Sequence, residues 1–266
     1  MEFLKLLRKR SFLSEAVYTV LNIALAIAVV AVIRYTGSVG FAIGLIVLSK
    51  WRVFAVRPRF WWANLRSNLV DFIVSISFVL HMYLVNGAPI EDPRKLLLLG
   101  ALTLLYIGWL LFIKPRSKRS YIAVQAGAAI FLGTSALFAV SYNWPVSVVV
   151  LAMWLIGYTA ARHILSAYDE ETHGLFLSLA WGVLLSQIAW AAYHWTIAYN
   201  LPFVTALHIP QVAIIAILMS FLAFKSYDSF YKNAKIRMTD IILPLLFTLS
   251  VALVLLVLFN RVGTAI

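Results

Sequence analysis

The densest run of groups able to do acid–base or metal chemistry is Arg162, His163, Asp169, Glu170, Glu171 and His173. Imidazole and carboxylate are competent proton donors, acceptors and metal ligands. Their order matches neither His-Glu-x-x-His nor His-x-x-Glu-His, the spacings that set two ligands on one helix face. A solvated loop whose acids balance neighbouring cations accounts for the same residues.

A second group is more dispersed. His81, His194 and His208 are predicted at similar depth near one end of three helices, where three neutral imidazoles could hold zinc or relay protons if the helices bring them together. Gln187 and His194, seven apart, share a helix face, and His208 with Gln211 brackets the opening of the next helix. Separate interfacial histidines among Trp190, Tyr193 and Trp195 are the plainer alternative. A third group is cationic: Arg57, Arg59 and Arg66 among Phe60, Trp61 and Trp62, followed by Lys114, Arg116, Lys118 and Arg119. Such mixtures grip anionic headgroups, and a sharper reading gives them the phosphate of an amphiphilic substrate.

Four features have a structural reading. Asp71 falls in the first turn of an apolar segment, where it suits a helix N-terminus or a pair with Arg66 or another loop arginine. Gln125, Ala129, Gly133 and Ala136 share a face, as do Ala24, Ala28 and Ala31, and Gly40 lies four before Gly44; all three sets read as helix-packing surfaces, with Gln125 as interhelical glue.

The elements that must position these groups are membrane helices. Of 266 residues 63% are apolar and 12% charged, outside the range of soluble domains. Apolar runs of bilayer length recur without a long polar gap, so the whole chain, 1–266, is expected to form one transmembrane domain. The spans are expected near Ala16–Ile33, Val39–Val56, Leu69–Val85, Leu96–Ile113, Tyr121–Val140, Val146–Ala161, Leu175–Ala198, Ile209–Phe224 and Ile241–Leu258. The first is too long for a signal-peptide core and reads as an uncleaved span opened by Ser14 and Glu15.

The second span is short and crosses only if Lys50, Trp51 and Arg52 snorkel to the interface. Charge supports the crossing. With nine spans every lysine and arginine but Arg34, Arg94, Lys95 and Arg261 lies on the N-terminal side; without it, only Lys5, Arg8, Lys9, Arg10, Arg94, Lys95 and Arg261 would. The positive-inside rule therefore favours an all-α bundle of about nine helices, N-terminus cytoplasmic and C-terminus outside. The net charge of +12 follows from that orientation, and no nucleic-acid partner is needed. The chain has no cysteine, which excludes disulfides and thiolate sites, and it lacks any Gly-rich phosphate loop or dinucleotide fingerprint, so no cofactor is expected. Short loops and the absence of other targeting features point to a bacterial cytoplasmic membrane.

Three functional readings remain. A non-enzymatic membrane subunit or scaffold, with an unidentified protein partner, predicts packed helices and no continuous polar route. A transporter of ions or small solutes predicts that polar groups of the third, seventh and eighth spans line one cavity. An enzyme on a phosphate-bearing amphiphile predicts His163 or His173 against Asp169, Glu170 or Glu171 in a cleft reached by the basic loops.

Overall fold

Apolar runs that must satisfy their own backbone in lipid form helices, and the breaks between them fall at Gly, Pro and polar clusters. The computed structural model describes residues 12–53, 55–168, 171–195, 197–201 and 204–259; Lys5, Arg8, Lys9, Arg10 and Arg261, and the loop acids Asp169 and Glu170, lie outside them. The described chain forms α1 (Phe12–Thr36), α2 (Val39–Ser49), α3 (Trp61–Gly87), α4 (Asp92–Gly108, continued by a π turn Trp109–Ile113), α5 (Arg119–Val140), α6 (Val146–Leu165), α7 (Gly174–His194), α8 (Gln211–Asn233) and α9 (Met238–Val257). A two-stranded antiparallel hairpin, β1 (Ala198–Leu201) and β2 (Val204–Pro210), joins α7 to α8. The protein is an all-helical, multi-pass bundle apart from this hairpin.

Eight of the nine helices are long and apolar enough to cross a membrane. The exception is α2, whose 11 residues rise about 16 Å, half a bilayer core. Gly37, at φ 63°, breaks the chain between α1 and α2, a left-handed turn that suits glycine. Ser38 then caps α2 by accepting from the Phe41 amide at 3.4 Å.

Helix direction shows that this half-helix belongs to a full return. At the end of α1, Arg34 meets Asn86 at the end of α3 (3.5 Å) and Asp92 at the start of α4 (3.2 Å). The Asn86 amide also donates to the Ile33 carbonyl at 3.1 Å. The ends of α1 and α3 therefore share a rim, and the chain between them must come back. Beyond α2 the descent continues through 3-10 turns at Trp51–Val53 and Pro58–Phe60. It lies along the start of α3, where Asn64 donates to the Val53 carbonyl (3.5 Å) and the Trp61 indole to the Val56 carbonyl (2.9 Å).

The remaining helices alternate in direction, which collects Arg57, Arg59, Arg66, Lys114, Arg116, Lys118, Arg119, Arg162, Lys225 and Lys232 on one rim, called the basic rim below. Two apolar cores fill the bundle. One joins α1–α4 around Val29, Ile46, Val74 and Met82; the other joins α5–α8 around Ile130, Met153, Leu185 and Ala216. α9 packs chiefly on α8 and buries little of its surface.

Several boundaries differ from expectation: α3 starts at Trp61, eight residues before Leu69, α8 runs on to Asn233, nine past Phe224, and α2 stops at Ser49. The seventh helix ends at His194, four residues early, and the eighth begins at Gln211, so Ala198 and Ile209 stand in strands. Pro210 has no amide to donate and its ring disfavours a helical residue before it, so it suits the position just ahead of α8. Two short strands pairing with each other let the intervening chain satisfy its backbone at the rim.

Candidate functional site

The best-defined polar site is a cluster of charge inside the basic half of the first core, and Asp71 on α3 is its centre. Lys50 at the end of α2 and Lys114 at the end of α4 each place an ammonium 2.7 Å from Asp71 Oδ2. Oδ1 accepts from the Trp109 indole at 3.0 Å and from the Ser75 hydroxyl at 3.4 Å. Both carboxylate oxygens are thus engaged. Lys50 also donates to Ser75 Oγ at 3.2 Å and lies 4.4 Å from the centre of the Phe72 ring. The Lys50 and Asp71 side chains are 6% and 9% exposed, whereas Lys114 at 30% carries the surplus positive charge toward water.

The arrangement corrects three expectations. Asp71 pairs with two lysines instead of with Arg66. Lys50 does not snorkel outward, because a carboxylate inside the bundle gives its ammonium a closer partner than the interface does. Lys114, expected as a headgroup contact, is also an ion-pair partner of Asp71, with 30% of its side chain still exposed. Sequence spacing hides this cluster because its members come from three helices, and the π turn that brings Trp109 onto Asp71 has no sequence signature.

Gln125 fastens the end of that π turn. Its amide nitrogen donates to the Ile113 and Arg116 carbonyls at 2.7 and 2.9 Å, with Lys114 O at 3.3 Å. Its oxygen faces His163 Nε2 at 2.7 Å, so that nitrogen carries the proton. Gln125 is interhelical glue as read, with Ala129, Gly133 and Ala136 buried on its face. Of the other small-residue sets, Gly40 and Gly44 meet no other helix, and α1 buries Ala26, Val29 and Ile33 instead of Ala24, Ala28 and Ala31.

His163 is thus engaged by Gln125, and Glu171, the one described acid of the loop, is held elsewhere. Glu171 accepts from the His173 backbone amide at 2.6 Å and from the Tyr227 hydroxyl, which ties the loop to α8. The described members of the mixed-charge group serve as connectors. His163 does line, with Arg66, Arg162, Ser67 and Ser166, a cleft of about 300 Å3 between α3 and α6 at the basic rim. Buried in its wall is Thr159, whose hydroxyl has no partner. Among the cations proposed for phosphate, Arg57, Arg59, Arg66, Arg116 and Lys118 are exposed, while Arg119 is drawn to Asp228 at 3.7 Å and lies 4.2 Å from the centre of the Tyr168 ring.

On the opposite rim the five candidate residues do not form one cluster, although His81 and His208 line a common cavity. His81 is buried; Nδ1 faces the Ser77 carbonyl at 2.7 Å and so carries a proton, and Nε2 lies 3.2 Å from the Ser135 hydroxyl. It shares a cavity of about 530 Å3 with His208. His194 is exposed and stacks edge-on against Trp190 and Tyr193, with ring centres 5.1 and 5.9 Å away. Gln187 is exposed on the outer face of α7. Gln211 donates to the Tyr199 hydroxyl and the Leu255 carbonyl, both at 2.8 Å, and so holds the hairpin and α9 to α8. Among the described residues no three His, Asp or Glu side chains converge as a metal site.

The chain matches no protein-family model, no curated protein and no solved structure.

Proposed function

We propose that the protein is a non-enzymatic membrane subunit, a helical scaffold in which intramembrane polar groups fasten helices. The observation that carries this reading is the closed shell around Asp71, which leaves no carboxylate oxygen for a passing ion. Further support comes from the middle of the bundle, where Ile73 and Ile156 close on Gly133; a Cβ there would stand 2.8 and 3.3 Å from them. The cavity beside His81 and the cleft beside His163 have no lining residue in common.

The test is flux. Purified protein in proteoliposomes, with an entrapped pH dye and an imposed potassium potential, should acidify no faster than protein-free vesicles. A protein-dependent proton flux that Asp71→Asn or His81→Ala abolishes, in a variant that still elutes and melts as the parent does, overturns the scaffold in favour of a transporter.

In this reading the membrane is a bacterial cytoplasmic one, with the basic rim inside against anionic headgroups. The absence of cysteine makes orientation directly testable. A single cysteine at Lys118 should react with an impermeant maleimide only in inverted vesicles, and one at Glu91 only in right-side-out cells.

One observation favours a second reading, an anionic group of an amphiphilic substrate held between α3 and α6. There Thr159, whose buried hydroxyl has no partner, lines a cleft flanked by Arg66 and Arg162. Protection of the protein by a phosphorylated amphiphile, lost in Arg162→Gln, would support it.

A further inference from the structure

A second cleft on the basic side, of about 550 Å3, runs between α5 and α8. Its shape is amphipathic. At the rim stand Arg119, Lys225, Asp228 and Lys232; deeper, its walls are Gly127, Ile130, Ile217 and Phe224. Val124 and Phe221, 52% and 39% exposed, flank it, so the cleft opens sideways onto the apolar belt of the bundle and not into its core.

The rim carries more positive charge than it neutralises. Asp228 serves both Lys232 at 2.6 Å and Arg119 at 3.7 Å, and Lys225 forms no ion pair with a described residue. Arg119 and Lys232 each keep further donors beyond their contact with Asp228. Cations at this depth, beside an apolar groove, complement a lipid phosphate.

Ser220 supplies an independent sign of a ligand. It is 7% exposed, it lines the cleft, and its hydroxyl has no hydrogen-bond partner. A buried hydroxyl left unpaired is costly enough that most native ones are satisfied. Ser220 precedes Lys225 by five residues, and α8 runs toward the basic rim, so Ser220 lies about 7.5 Å deeper along the axis. In a phosphoglyceride the ester carbonyls lie one glycerol unit below the phosphate, acceptors at the level where this donor waits. Below Ser220 the groove is apolar, and Gly127 keeps it open: a Cβ there would stand 3.2 Å from Ile217 Cδ1.

We propose that this cleft seats one phospholipid. The phosphate is held by Arg119, Lys225 and Lys232, an ester carbonyl accepts from Ser220, and an acyl chain lies over Gly127 and Ile130. A free phosphate would satisfy the rim alone; the unpaired serine and the apolar shaft select the lipid. The site does not depend on the scaffold reading, since a transporter would hold such a lipid equally well.

Native mass spectrometry of the full chain released from detergent tests this with dioleoyl phosphatidylglycerol, its ether-linked analogue, dioleoyl phosphatidylcholine and inorganic phosphate as probes. The expected result is one retained phosphatidylglycerol, weakened about tenfold in Lys225→Gln, the loss of one charge-assisted contact. Ser220→Ala should weaken the ester lipid and leave the ether lipid unchanged, a split that a purely structural serine would not produce. Gly127→Leu should abolish the retained lipid; Lys225→Gln, at a partly exposed position, keeps the test open if that variant fails to fold. Equal retention by parent and Lys225→Gln overturns the proposal. So does retention of inorganic phosphate in competition with the lipid, or equal loss of ester and ether lipid in Ser220→Ala.

Discussion

Around Asp71, α2, α3 and α4 are joined by charge; around Gly157 and Gly182, α6 and α7 are joined by the absence of side chains. In the first region a carboxylate draws two ammoniums from two other helices to 2.7 Å. In the second, a Cβ on Gly182 would stand 2.9 Å from the Trp154 carbonyl, and one on Gly157 would stand 3.2 Å from Gly182 Cα and 2.9 Å from Leu185 Cδ1. The difference follows from helix length. α6 and α7 are 20 and 21 residues long and make contact along their length, so backbone proximity and dispersion suffice. α2 has 11 residues and ends inside the bundle. Its C-terminal dipole is stabilised by a cation there, and Lys50 supplies the cation while Asp71 neutralises it.

The largest effect is expected from breaking the charge cluster on one side only. Asp71→Ala leaves the enclosed Lys50 without its anion and Lys114 without its partner, and should cost about 3–5 kcal/mol. Denaturation in mixed micelles with increasing dodecyl sulfate reads this as a lower midpoint. Replacing the enclosed pair together, Lys50→Met with Asp71→Leu, should recover most of the loss, because Lys114 reaches water. A double variant no better than the single would mean that the pair does more than hold α2.

Next in size is the glycine contact. Gly182→Val drives a side chain into the Trp154 backbone and should cost about 1–3 kcal/mol. Gly44→Val is the matched control: nothing lies within 4 Å of a Cβ there, so the midpoint should stay within about 0.5 kcal/mol of the parent. Equal losses at the two positions would erase the distinction between the halves.

Gln125 bridges the two regions, since it sits on α5, holds the end of α4 and receives His163 from α6. Gln125→Leu orphans the Ile113 and Arg116 carbonyls and should cost about 1–3 kcal/mol, with faster hydrogen exchange at the end of α4 as the local readout. Exchange that quickens only in α6 would place the bond to His163 above the carbonyl contacts.

What the sequence makes legible divides along the same line. Hydropathy locates all nine described helices, eight of them long and apolar enough to cross a membrane, whereas the span expected over Val39–Val56 is helical only to Ser49. Gln125 is readable because a polar residue followed by small ones at helical spacing marks a packed face. The Asp71 cluster is not, because its partners lie 21 and 43 positions away and meet only through the tertiary path of α2 and α4. The spread of His81, Gln187, His194, His208 and Gln211 is equally hidden, since similar depth on separate helices says nothing of rotation about each axis. Gly157 and Gly182, in different helices, form no motif within either one. Ser220 and Thr159 carry no signal at all, because only packing reveals that a hydroxyl has been left without a partner.

The smallest effect concerns the link between the second core and the basic rim. Tyr168, just past α6, is buried against Tyr227 and Tyr231, and burial together with the nearby charge of Asp228 pushes its phenol up to about 12. The folded state thus holds the phenolic proton more tightly than an unfolded chain, whose tyrosines titrate near 10. The stability tied to that preference is complete below about pH 10 and is lost as pH rises through about 12. A spectroscopic titration of Tyr168→Phe should therefore lack one phenolate step near 12 that the parent shows. Its melting temperature, compared with the parent's, should change in the variant's favour only as pH climbs through that interval. A missing step near 10 would instead mean that water reaches the Tyr168 ring, and that its contacts with Tyr227 and Tyr231 do not fasten the end of α6 to α8.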